Sequence, residues 1–288
     1  MTNTHKNEHP STYTVQDRQN KDERIRLTIQ DRMITTAMGG VLPEQSNGAI
    51  FQRVLDIGCG PGGWVIQAAQ TYPTMTVAGI DVSQRMIEDA RAQVEGQGVT
   101  DRVEFHVMDA LRMLEFPAHF FDLVNVRFGV SWMRTWDWPK LLSEMLRVCR
   151  PSGIIRLCEP EIMHHSTSPA LKHIQDILLC GLYRSGHLFE RDTTGITAHL
   201  VPLLKQHGCE KVEAIPFPLT YKAGTAAGEA YAENIRITCQ THRHFFRKWG
   251  CMIDDYDRLC QQALGEMQQG DFQVTWNLWT AWGRKRER

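Results

Sequence analysis

The chain has no apolar run that approaches membrane-spanning length, so no transmembrane segment is expected. It also lacks an excess of one charge. Its 32 Lys and Arg stand against 33 Asp and Glu, leaving a net charge of −1. That balance argues against nucleic acid or an acidic membrane as a general partner. The one basic run, Arg284–Arg288, reads as a solvated terminus. Paired cysteine motifs are missing too. Eight cysteines are scattered singly, with no C-x-x-C and no alternation with His at metal-ligand spacing. The segment Met1–Asn20 is polar and has no apolar h-region, so no signal peptide is expected. Together these features predict a cytoplasmic protein whose cysteines are reduced thiols. Repeats and low-complexity tracts are absent as well.

What is present is enough apolar material for a sizeable core in 288 residues. Residues 1–22 read as a loose polar arm. Asp22–Met38 has helical spacing at Ile25, Ile29, Met33 and Thr36, with Gly39-Gly40 as a stop. Strands and helices then alternate. Strands are predicted at Val54–Ile57, Val77–Ile80, Val103–Met108, Phe121–Val126 and Ile154–Cys158. Between them, helices are predicted at Trp64–Thr71, after a Ser83 cap, and from an Asp137 cap to Val148. Pro151-Ser152-Gly153 reads as a turn. This rhythm implies a doubly wound α/β fold with a mostly parallel sheet and its strand ends on one edge.

After Glu159 the rhythm changes. Pro169–Gly181, Thr193–Gln206, Gly224–Trp249 and Asp254–Met267 look helical. Lys211–Tyr221 and Phe272–Gly283 look like strands, the second with Phe272, Val274, Trp276 and Leu278 at period two. The inserts Ile162–Gln206 and Gly224–Gln269 read as a helical lid over the ligand edge. The division is therefore an arm (1–22), a core with N-terminal helices (23–160), and lid inserts plus the last two strands (161–288).

The chemistry concentrates at Val54–Trp64, V-L-D-I-G-C-G-P-G-G-W. An apolar strand ends in an acid, then a glycine-dense turn opens a helix. Such a turn lets the backbone approach a ligand closely, and the helix start offers free N–H groups. Gly58 to Gly63 also satisfies G-x-G-x-x-G, with Asp81 lying 18 residues further on, which allows a dinucleotide. Yet Asp56 stands where a pyrophosphate would be repelled. Asp81 ends the next strand, where it can accept from ribose hydroxyls, and Asp109 ends the third, where it can accept from an adenine amine. Acids at three successive strand ends suit a nucleoside that carries positive charge and no phosphate.

With those segments in view, the chain resembles the class I S-adenosylmethionine-dependent methyltransferases. The resemblance rests on V-L-D-I-G-C-G-P-G (54–62), G-I-D-V-S (79–83), V-M-D-A (107–110), F-D-L-V-N-V-R (121–127) and L-R-V-C-R-P-S-G (146–153). It covers roughly residues 50–160. The closing W-N-L-W-T-A-W-G-R-K (276–285) is similar to the antiparallel last strand of that fold. The resemblance implies a Rossmann-like sheet of seven strands with an antiparallel last strand. It implies that Asp56, Gly58, Cys59 and Gly60 lie along the methionine part of S-adenosylmethionine. Asp81 would hold the ribose, Val82 and Met86 the adenine face, and Asp109 with the Ala110 N–H the adenine edge. Asn125–Phe128 would line the methyl-transfer channel. In one branch of the family an Arg follows strand four and a D-W-P-x-L-L-x-E-x-x-R-V segment comes next. Arg127 and Asp137–Val148 fit that pattern, and Tyr13 would fold over the cofactor.

Methyl transfer is an in-line displacement that needs alignment and exclusion of water, not a triad. Strand four runs into N-V-R-F and lacks the [D/N]-P-P-[Y/F] tetrad of many amino-methyltransferases. No Asp follows it as in metal-assisted catechol-type enzymes, so no metal is expected. A general base is expected among Glu159, Glu161, His164 and His165, with His187 and Tyr183 as weaker candidates. Cys59 reads as a small turn residue rather than a nucleophile. Trp132, Trp136 and Trp138 read as pocket lining or as ordinary packing. The function implied is methyl transfer to a small, largely apolar metabolite, with S-adenosylhomocysteine as product. The competing readings are a methyltransferase of RNA or protein, a non-methylating S-adenosylmethionine-binding relative, and an NAD-dependent oxidoreductase. The acceptor, the attacked atom and the oligomeric state are not written in the sequence.

Overall fold

A computed structural model describes residues 12–15 and 20–287. The rest of the expected arm lies outside the described residues. Helix α1 (Lys21–Met38) starts at Asn20, whose side chain accepts from the Asp22 and Glu23 N–H groups, and ends on left-handed Gly39. The core then alternates as β1 (Arg53–Ile57), α2 (Gly63–Thr71), β2 (Thr76–Asp81), α3 (Gln84–Val94), β3 (Val103–Val107), β4 (Phe121–Arg127), α4 (Trp138–Val148) and β5 (Cys149–Pro160). Ser83 caps α3 through the Met86 N–H, as its place before the helix requires.

Beyond β5 come β6 (His165–Ser166), α5 (Pro169–Arg184), α6 (Leu200–Gln206) and β7 (Cys209–Lys222). They are followed by α7 (Ala226–Thr241), α8 (Arg243–Lys248), α9 (Tyr256–Glu266) and β8 (Gln273–Lys285). The sheet runs β3-β2-β1-β4-β5-β8, the first five strands parallel and β8 antiparallel to β5. Strand β7 pairs along the far edge of β8. The two-residue β6 continues the line of β5 along the near edge, His165 opposite Thr275. That bridge makes the described sheet eight-stranded, where seven were expected. It was illegible because two residues carry no alternation.

Strands β1, β2 and β4 are buried nearly throughout, as expected of a sheet covered on both faces, while edge strand β3 is partly exposed. One apolar core packs α4, α5, α7 and α9 with β4, β5 and β8, while a second lies between α2, α3 and β1–β3.

Several local expectations give way to tertiary packing. Asp137 sits at the N-cap of α4, but its carboxylate accepts from the upstream Arg134 N–H instead of capping. Pro151-Ser152-Gly153 lies within β5, beside a register irregularity against β4, and Ser152 is left-handed. Within Thr193–Gln206, α6 is preceded only by a single turn of tighter helix at Thr197–His199. Helix α6 packs on β7, β8 and α4, and so covers the sheet rather than joining an insert. The cysteines also depart from expectation. Cys180 of α5 is disulfide-bonded to Cys251, with Cα atoms 6.1 Å apart. The other six are free and buried. A bond across 71 residues is invisible to local spacing, because only folding brings its ends together.

Candidate active site

The glycine turn closes over the end of β2. The Gly58 and Cys59 N–H groups donate to the Ile80 carbonyl at 2.8 and 2.9 Å. Gly58, Gly60 and Gly62 all have positive φ, a region where a side chain is strained. A Cβ at Gly62 would strike Phe105 at 2.6 Å, whereas one at Gly60 would meet nothing within 4 Å. The turn therefore packs on one side and stands open on the other. Cys59 is buried, and burial, with Asp81 and Asp56 nearby, pushes its thiol well up. It remains a protonated packing group.

Three carboxylates stand at or just past the ends of β1, β2 and β3. Asp81 accepts from the Gly60 N–H at 3.1 Å and the Ser83 N–H at 2.8 Å. Asp109 accepts from the Leu111 N–H at 2.9 Å and lies 3.4 Å from Arg112. Asp56 is buried at the end of β1 and accepts from Asn125 Nδ2 at 2.7 Å. Burial raises its carboxyl to about 6, against the pull of Arg127 and the Asn125 bond. Val82, which follows Asp81, is exposed, while Met86 and Ala110 are buried.

Arg127 ends β4. It is ion-paired with Asp31 of α1, donates to Thr35 Oγ1 at 3.2 Å, and lies over the Trp64 ring at 5.7 Å. The N-terminal helix is thus tied to the glycine turn. The short segment 12–15 lies beside it. Thr14 donates its N–H to the Ser131 carbonyl at 3.0 Å, and Thr12 Oγ1 donates to the Trp132 carbonyl. Tyr13 donates to Glu23, which also binds Arg26, so the expected cofactor-covering residue sits at the foot of α1. His187 spans Ser185 Oγ at 2.6 Å and the Thr12 carbonyl at 2.9 Å.

Past the end of β5, aromatic rings gather. Phe128 lies 5.9 Å from Trp276, and Trp276 lies 4.6 Å from the His164 ring. His164 Nδ1 is 2.6 Å from the hydroxyl of buried Tyr231, which stacks on Tyr221. Burial, with neighbouring His165, lowers His164 to about 3, so it is neutral. Among the described residues His164 is the hydrogen-bond partner of the Tyr231 hydroxyl, and burial pushes the phenol up. A phenol that donates to Nδ1 leaves the ring proton on Nε2. Glu161 accepts from Asn277 Nδ2 at 2.9 Å and Trp279 Nε1 at 3.0 Å. His165 is exposed on β6. Glu159 is buried and accepts from the Gly129 and Val130 N–H groups at 2.6 and 3.0 Å, while burial pushes it up to about 8. It shapes the turn that carries left-handed Phe128.

The acids and glycines were legible because they stand at strand ends. Asp31, Glu44, Arg156, Tyr231 and Trp276, which the structure ties to Arg127, Asn125 and His164, were not. A signal for Arg156 was present: a charged residue in the apolar I-I-R-L of β5 demands a buried partner.

Residues 54–153 match the model of the methyltransferase domain family. Those residues carry a methyltransferase domain of the class I S-adenosylmethionine-dependent type. The chain is 34% identical over 102 residues to a ubiquinone/menaquinone biosynthesis C-methyltransferase from Geobacter sulfurreducens, covering 35% of this chain and 39% of that protein. It is 32% identical over 136 residues to the 27-O-demethylrifamycin SV methyltransferase of Amycolatopsis mediterranei, 47% of each chain. The chain thus spans about half or less of the length of these curated relatives. Among solved structures, the YcgJ protein of Bacillus subtilis superposes with a TM-score of 0.54 at 17% identity, covering 88% of this chain and 99% of that one. That likeness concerns the fold.

Proposed function

We propose that this protein transfers a methyl group from S-adenosylmethionine to a small, largely apolar acceptor. The observation that carries this reading is the set Asp56, Asp81 and Asp109 at successive strand ends, beside a glycine turn whose Gly60 face is open. Carboxylates fit a cationic nucleoside and repel a pyrophosphate. Curated relatives named for demethylmenaquinone and for a demethylated rifamycin support a small-molecule acceptor.

When bound, the cofactor supplies an already activated methyl group. The chain's residues bind and orient. Gly58, Cys59 and Gly60 run along the amino-acid end, where Asp56 faces the ammonium and Arg127 supplies a fixed positive charge. Asp81 accepts from the ribose hydroxyls. Val82 and Met86 flank the adenine, and Asp109 with the Ala110 N–H reads its edge. Phe128, Trp276 and His164 form the acceptor's wall. His164 presents Nε2–H to an acceptor oxygen, its tautomer set by Tyr231. Glu161 acts as a strut that holds Trp279 and Asn277, and exposed His165 closes the rim. Helices α5, α7 and α9 keep water out.

Calorimetric titration with S-adenosylmethionine, S-adenosylhomocysteine and NADH tests the cofactor. Micromolar binding of the first two, and none of NADH, is expected. Binding of NADH alone would transfer the protein to the oxidoreductases. A panel of phenols, enols and quinols, read by S-adenosylhomocysteine formation, then tests the acceptor class.

A further inference from the structure

Three polar residues stand side by side in the middle of the sheet. Asp56 of β1 is in register with Asn125 of β4, and Asn125 with Arg156 of β5. All three are buried, in strands that are otherwise apolar at this level. Their side chains form a directed chain. Glu44 accepts from Arg156 Nε at 2.7 Å and Nη2 at 3.1 Å. Arg156 Nη1 donates to Asn125 Oδ1 at 2.8 Å, and Asn125 Nδ2 donates to Asp56 Oδ1 at 2.7 Å. The guanidinium can only donate, so it decides which way the Asn125 amide points. The amide nitrogen must then face Asp56.

Asn125 is the only hydrogen-bond partner of the Asp56 carboxylate among the described residues, and it engages Oδ1. Oδ2 is left to accept. Asp56 adjoins the Gly58–Gly60 turn in sequence, at the end of β1. We infer that Glu44, Arg156 and Asn125 are positioning residues that turn Asp56 Oδ2 toward the ammonium group of the bound amino acid moiety. The inference rests on the cofactor reading above and extends it to residues outside the glycine turn.

A sheet needs no such row for stability. Buried ions are costly, and well-packed apolar residues would serve the fold as well. Glu44 and Arg156 are both nearly inaccessible, and, despite burial, which raises it, Arg156 holds the Glu44 carboxyl below its ordinary value. Asp56 is faced by Asn125 and Arg127 from β4, Arg156 from β5, Asp31 from α1 and Cys59 from the turn. Of these, Asn125 alone hydrogen-bonds it, so the row sets its direction while Arg127 and Asp31 set its field.

The test compares S-adenosylhomocysteine with 5′-methylthioadenosine, which keeps the nucleoside and sulfur but lacks the ammonium and carboxylate. In Asn125→Leu, affinity for S-adenosylhomocysteine should fall at least tenfold, while affinity for methylthioadenosine stays within about twofold. The pH below which S-adenosylhomocysteine binding weakens should also rise, because Asp56 loses the bond that favours its charged form. Methylthioadenosine binding should show no such onset. Should Asn125→Leu not fold, Glu44→Gln carries the same comparison, with a smaller selective loss expected. Equal losses for both ligands, or no loss for either, would overturn the inference. Wild-type protein that binds neither ligand would instead overturn the cofactor reading beneath it.

Discussion

Arg127, the last residue of β4, is ion-paired with Asp31 near the middle of α1. The same aspartate lies directly against Gly63, the first residue of α2. One carboxylate therefore joins the N-terminal helix, the glycine turn and the end of β4. It also faces Asp56 with like charge, which helps raise Asp56.

Replacing Asp31 by Ala should leave Arg127 half-buried without its counter-charge. A stability loss of about 1–3 kcal/mol is expected in urea unfolding. The Asp56 carboxyl should fall at the same time, since a repelling charge is removed and Arg127 is freed to attract it. The pH onset of S-adenosylhomocysteine binding should move below 6. An unchanged onset would show that Asp31 does not act on Asp56.

Asp56 itself is held against the fold's interest. Its carboxyl is raised from an ordinary 3.8 to about 6, chiefly by burial. Between those values the folded protein binds more protons than the unfolded chain, so stability falls as pH rises through that window. At neutral pH the ionised group costs up to about 3 kcal/mol. Asp56→Asn should therefore be more stable than wild type at pH 7, with the gain gone by pH 4. Cofactor affinity should weaken in the same variant. A variant less stable at pH 7 would contradict this account.

The Cys180–Cys251 bond closes a loop of about seventy residues through α5 to α8. On the chain-entropy view it stabilises by about 4 kcal/mol. Denatured, unreduced protein should yield six reactive thiols of its eight cysteines, and a reductant should lower the melting temperature. Eight reactive thiols before reduction would show that the bond does not form.

The acids of the site were legible because each ends a strand, and strand ends in a parallel α/β sheet share one edge. The parallel core was legible because β1, β2 and β4 are short strands rich in Val, Leu and Ile that recur among helices. Asp137 was misread as a side-chain cap because capping residues also serve as turn residues, and Arg134 offered a competing donor. No strand was expected at residues 165–166 because β6 exists only through its partner β8.

By itself the sequence determined which strands form, where they end, and that carboxylates and a glycine turn converge there. These follow from periodicity and backbone sterics, which act over a few residues. Only the tertiary structure decided that Arg127 meets Asp31, that Tyr231 meets His164, that Cys180 meets Cys251, and that Glu44 completes the Arg156 row. Each pairing joins groups far apart in the chain, and its energy exists only once the intervening elements have packed.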